Sequence, residues 1–186
     1  MHADARILVA AQAPGMRVHR TGIPFNDPSG DRLRRWMGIE RATFYSPSIA
    51  LLPMAFCFPG SSKSGDLPPP KDCAKIWRSR LLVHLDKIEL TILCGSYAVD
   101  WHLSALHLTL SEAVARWREL PAGVIAIPHP SGRNNGWLKR RPWFESDLVP
   151  ELRRKVALAL KSVPQHRLSR LHQEGRHSVS QWAGPT

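Results

Sequence analysis

Four short apolar runs recur along the chain: "RILVAA" (residues 6–11), "SIALLPMAF" (48–56), "ELTILCG" (89–95) and "GVIAIP" (123–128). Runs of this length, rich in Ile, Val and Leu and bounded by turn residues, predict strands buried on both faces. Helical signals lie between them. Asp27 is placed to cap a helix with Pro28 in its first turn, running to Trp36 and Met37 and stopping at Gly38. A second helix is expected over residues 73–84, with Ile76, Trp77, Leu81 and Leu85 at helical spacing. Thr109 and Glu112 form a capping-box pattern for a helix through Leu120. The last helix is expected over 146–162, with Val149, Leu152, Val156 and Leu160 on one face. Residues 12–15 break the first strand, and Gly15 is expected in a tight turn.

Strands alternating with helices predict a parallel sheet covered on both faces. The expected fold class is α/β: a three-layer α/β/α domain with a central four-stranded, mostly parallel sheet. It should occupy residues 1–162, followed over 163–186 by a basic, flexible C-terminal tail. In such sheets ligands bind at the carboxyl ends of the strands. Three of the four strand ends carry unusual residues, at 12–15, 54–60 and 128–135. One site built from several loops is therefore expected.

Composition narrows the class. The 186 residues suit one domain, and 43% hydrophobic with 22% charged residues is a globular composition, not a disordered one. No apolar run is long enough to span a membrane, and residues 1–11 lack a signal-peptide layout. Three cysteines argue against a disulfide framework and for a reduced, cytoplasmic setting. The formal charge is +11, and residues 132–186 alone hold eleven Lys and Arg against four Asp and Glu. A clustered excess of this kind favours a polyanionic partner, although a solubilising surface with a basic tail has the same composition.

The chemistry-bearing stretches are "AQAPGMRVHRTGIPFNDPSGDRL", after the first strand, and "HPSGRNN", after the fourth. Together they resemble the two signature motifs of the uracil-DNA glycosylase superfamily, in its order and at its strand ends. The resemblance covers about residues 6–160. The first motif and the cysteine spacing are similar to the iron–sulfur branch, and His-Pro-Ser-x-Arg-Asn to the single-strand-selective branch. The resemblance implies a monofunctional glycosylase that hydrolyses the bond between uracil, or a related deaminated base, and the sugar of DNA. Such an enzyme is expected to act as a monomer and to start base excision repair.

It also implies roles. His129 would donate to uracil O2 as charge builds on the leaving base. Phe25 would stack on the base, within a base-binding wall that includes Ala13, Pro14 and Gly15. Gln12 would contact the base or order water. Ser131 would hold a phosphate, Arg133 would wedge into the strand or bind phosphate, and Asn134 would shape the loop. Lys139, Arg140 and Arg141 would contact phosphates. Trp137 and Trp143 could stack on bases or pack in the core.

The departures are specific. Ala13 stands where the most active branch has a catalytic Asp, so direct carboxylate help to water from that position is absent. Pro53 falls near the position where many relatives carry a base-reading Asn, and backbone groups around Met54 and Phe56 are alternative readers. Ala13 also keeps open a second reading: a nucleic-acid-binding protein on this fold with weak or lost catalysis. Cys57 and Cys73 resemble the second cysteine pair of the iron–sulfur branch. A 4Fe–4S cluster needs four thiolates, so no cofactor is expected from these two alone. A cluster would require two further cysteines from a preceding segment. Cys94, inside a strand, is expected to be a buried apolar residue.

Overall fold

The computed structural model describes residues 1–63 and 65–161. In chain order these form β1 (Ile7–Ala10), α1 (Met16–Thr21), α2 (Pro28–Met37), α3 (Arg41–Phe44), β2 (Ile49–Leu51), a small hairpin of β3 (Ser61–Ser62) and β4 (Gly65–Asp66), and α4 (Lys71–Leu82). They continue with β5 (Leu90–Cys94), α5 (Ser96–His102), α6 (Leu110–Ala115), β6 (Val124–Ile127), α7 (Asn135–Lys139) and α8 (Val149–Lys161). The basic tail expected over 163–186 lies outside the described residues.

The four long strands form one all-parallel sheet in the order β2-β1-β5-β6. Its strands are almost continuously apolar because both faces are covered, which leaves no room for alternating polar positions. Along β1, Ile7 and Val9 join the larger core with α2 and α8, whereas Leu8 points into a smaller cluster with Ala50, Leu52 and Leu85. This is the three-layer α/β/α arrangement expected from the alternation. No helix of the described residues is long and apolar enough to cross a membrane.

Several elements form where local chemistry predicts them. The Asp27 side chain accepts from Gly30 N–H at 2.8 Å, and Gly38 closes α2 in the left-handed conformation. Thr109 and Glu112 complete a reciprocal capping box on α6. Val149, Leu152 and Val156 are buried on α8, and Leu160 packs against them. A π-helical turn, Phe144–Leu148, leads directly into that helix.

Other expectations need correction. β2 is three residues long, although Leu52 and Met54 N–H still donate to the Val9 and Ala11 carbonyls beyond its end. Helix α6 ends at Ala115, and the chain then runs through turns stabilised by Arg116 on Glu119. Helix α4 turns a different face inward than its apolar spacing implies. Ile76 and Trp77 are 48% and 46% exposed, whereas Arg78 is 2% exposed. Gly15 has φ −79° and ψ 172°, an extended conformation open to any residue, so a left-handed turn is not its role.

Candidate active site

The carboxyl ends of β1, β2 and β6 open onto a cavity of about 680 Å³, a size typical of small-molecule sites. It lies beside β1, whose neighbours β2 and β5 flank it on opposite sides. A strand order that reverses in this way leaves a crevice that loops can line. Gln12, Ala13, Pro14 and Gly15 line the cavity from the loop after β1, and Phe25 lines it from the loop before α2. His129, Ser131, Arg133 and Asn134 line it from the loop after β6. Lys139, Arg140, Arg141, Cys57 and Cys73 are not among the lining residues.

The loop after β1 is fixed by backbone. Met54 N–H donates to the Ala11 carbonyl at 2.7 Å, and Ala55 N–H donates to that of Gln12 at 3.0 Å. Those N–H groups, considered as readers of a base, are therefore occupied. Phe56 and Pro53 face the cavity from the same segment. Gly15 serves through its small size: a Cβ there would lie 3.1 Å from Asp66 Oδ2.

Phe25 is held in a left-handed backbone conformation, φ 55°. Its carbonyl tucks under the start of α2, where a Cβ on Gly30 would fall 1.8 Å from it. Arg34 Nη1 donates to this carbonyl at 3.4 Å, and the Tyr45 hydroxyl donates to the preceding carbonyl, of Pro24, at 2.7 Å. The ring meets Phe44 edge-on, with centroids 5.8 Å apart. Phe25 therefore packs against the core and presents a surface to the cavity.

His129 emerges from β6 and lies against Gly95, the residue that ends β5; a Cβ on that glycine would sit 3.5 Å from His129 Cβ. Burial holds its imidazole below the ordinary histidine value; the Asp27 and Asp66 carboxylates pull the other way, and the charge of Arg133 adds to the lowering. The group is thereby biased toward the neutral form, a hydrogen-bond donor that carries no charge of its own. Asn134 Nδ2 donates to the His129 carbonyl at 2.7 Å, closing the loop on itself. Arg32, on α2, donates to the Ser131 carbonyl at 3.2 Å and to Asn135 Oδ1 at 2.8 Å. This tie between α2 and the histidine loop had no signal in the sequence pattern.

Arg133 reaches across to the β3–β4 hairpin. Gly65 has φ 117°, and a Cβ there would lie 1.6 Å from Arg133 Nη2. The guanidinium thus packs directly on bare backbone. The hairpin also brings Asp66 to the cavity, where it joins Asp27. Asp31 points elsewhere and pairs with Arg34 at 2.5 Å.

Lys139 and Arg140 are exposed at the end of α7, outside the cavity. Arg141 lies over the Trp137 ring, 4.6 Å from its centroid. Trp137 and Trp143 meet edge-on at 6.3 Å, both pack against the main core, and Trp137 Nε1 donates to Ser111. Of their two readings, the core one describes both rings.

Cys57 is exposed, Cys73 half-buried and Cys94 fully buried, and burial raises the Cys94 thiol. Among the described residues no three His, Cys, Asp or Glu side chains group as metal ligands. Two thiols, Cys57 and Cys73, do not match the four-thiolate set of an iron–sulfur cluster.

The cavity at the strand ends thus gathers a half-buried histidine, an aromatic ring, and Ser131 and Arg133 from the two motif loops. A family model for the uracil DNA glycosylase superfamily matches residues 1–153. That match spans the sheet, both motifs and the first turn of α8, and the chain belongs to the uracil DNA glycosylase superfamily.

Proposed function

We propose that the protein is a monofunctional DNA glycosylase that hydrolyses the N-glycosidic bond of uracil, or of a related deaminated base, and so initiates base excision repair. The observation that carries this reading is the meeting of Gln12, Phe25 and His129 on one cavity. Cleavage pushes negative charge onto the leaving base and positive charge onto the sugar. A largely neutral imidazole donates to the base oxygen without having to lose a proton, which stabilises the leaving anion. Phe25 offers a face for stacking, and Gln12 a polar contact to the base or to water.

Among the described residues no lysine lines the cavity, which supports water, and not an amine of the protein, as the nucleophile in this reading. Ser131 and Arg133 at the rim, with exposed Lys139 and Arg140 on α7, supply contacts to phosphates that are independent of sequence. Arg141 belongs to the same cationic flank, with its guanidinium resting on Trp137. The partner is DNA containing the damaged base, engaged by a monomer in the cytoplasm.

The test is alkali-revealed strand cleavage of uracil-containing single- and double-stranded oligonucleotides. Abasic product is expected, with no borohydride-trapped covalent adduct. No product at high enzyme excess, with salt-dependent binding retained, would instead favour the non-catalytic DNA-binding reading that Ala13 motivates.

A further inference from the structure

We propose that Asp66, delivered by the β3–β4 hairpin, is the catalytic carboxylate that directs water to the sugar, in place of a carboxylate at position 13. The inference rests on the glycosylase reading and names a residue outside both motifs. Ala13 leaves the loop after β1 without an acid. Among the described residues, Asp66 and Asp27 are the carboxylates that line the cavity. Asp27 has a structural task, since its Oδ1 caps α2 through Gly30 N–H. Asp66 has a different setting. Its Oδ1 accepts the Ser61 hydroxyl at 3.0 Å, across the hairpin. Its Oδ2 is turned to the loop after β1, close enough that a Cβ on Gly15 would stand 3.1 Å away. One oxygen is thus oriented and the other faces the loop that carries Gln12 and Ala13.

The hairpin is anchored for such a task. Leu67 N–H donates to the Gly60 carbonyl at 2.8 Å and closes its base. Arg133 packs on Gly65 from the histidine loop, so the segment bearing Asp66 is braced by the segment bearing His129. The carboxylate also acts on the His129 imidazole, together with Asp27. The two groups therefore share one electrostatic environment.

The step balances as follows. The bond between C1′ and the base nitrogen breaks, and its electron pair leaves with the base, stabilised by the His129 hydrogen bond. Water oxygen forms the new bond to C1′ and gives its proton to Asp66. That proton passes on to the departing base anion, directly or through solvent water, leaving an abasic sugar, a neutral base and the carboxylate restored. No oxidant or co-reactant is needed.

The experiment compares D66N and D27N with wild type on a uracil-containing single-stranded oligonucleotide, measuring single-turnover release and DNA affinity separately. D66N is expected to slow release by about 100-fold or more while binding DNA at least as tightly, since a negative charge is removed. D27N keeps a good helix cap but alters the cavity and the surroundings of His129, and should slow release clearly less than D66N. Release by D66N at the wild-type rate, or a larger loss in D27N than in D66N, overturns the assignment while leaving the glycosylase reading intact. Parallel loss of binding and release in D66N would show a structural role and also overturns it. Absence of release by wild type overturns both.

Discussion

Arg78 Nε donates to His102 Nε2 at 2.9 Å, and Arg78 Nη1 donates to the carbonyls of Leu52 and Pro53 at 3.0 and 3.3 Å. The guanidinium carbon also lies 5.4 Å from the Trp101 ring centroid. This buried cation ties α4 and α5 to the end of β2, where Pro53 lines the cavity. Burial lowers its pKa to about 10, so it stays protonated at neutral pH. Arg78→Met should cost about 2–4 kcal/mol, because it strands two carbonyls and an imidazole without their donor. Urea denaturation measures the loss.

The same contact needs an imidazole lone pair at Nε2, and so makes stability depend on pH. Burial first, and the charge of Arg78 second, lower His102 from 6.5 to about 3. Between these values the unfolded state binds a proton that the folded state does not. Stability therefore falls as pH drops from about 6.5 toward about 3, and is fully present above that window. The urea midpoint should be lower at about pH 5 than at about pH 8. His102→Gln keeps an acceptor for Arg78 and should flatten part of that slope.

His129→Ala should reduce single-turnover base release by about 100-fold or more, the usual scale for losing one preorganised donor to a developing anion. Asn134→Ala removes the 2.7 Å bond to the His129 carbonyl and acts on the same step through loop position. Its rate loss should be smaller, and in the double variant it should nearly vanish beside the loss from His129.

Gly30→Ala should be among the most damaging single substitutions. The new Cβ would fall 1.8 Å from the Phe25 carbonyl oxygen, a distance that no rotamer adjustment relieves. A loss of about 2–4 kcal/mol in denaturant unfolding is expected, with weakened binding of base analogues at any stability that survives.

Lys139→Ala together with Arg140→Ala should lower the salt slope of duplex-DNA binding by about 2, if each cation meets one phosphate. Folding stability should hardly change, since both side chains are exposed. Arg141→Ala should differ, because that guanidinium also covers Trp137. Titration of affinity against salt, beside thermal unfolding, separates the two behaviours.

The sheet was legible because buried parallel strands write themselves as continuous apolar runs, and α2 because Asp27 and Gly38 mark its ends. Helices α1, α5 and α7 carry no capping side chain and are five to seven residues long, so no periodicity had room to appear. Helix α4 was misread at the face because a buried arginine looks like a solvent-facing charge; only its acceptors on β2 and α5 reveal otherwise. At the cavity, the two motif loops announced themselves through residue type. Asp66 did not, because its position depends on a hairpin whose packing against Arg133 and Gly15 joins segments far apart in sequence. Arg32 was hidden for the same reason.

The backbone of Phe25 carries a final consequence. For a residue with a side chain, its left-handed torsion costs about 1–2 kcal/mol, and the bare backbone of Gly30, Arg34 and the Tyr45 hydroxyl together hold it in place. The torsion is imposed when the chain folds, before any ligand arrives. The resting protein is somewhat less stable for it, and the Phe25 ring stands at the cavity as part of the fold itself, so that in the proposed stacking role its backbone is set before a base arrives.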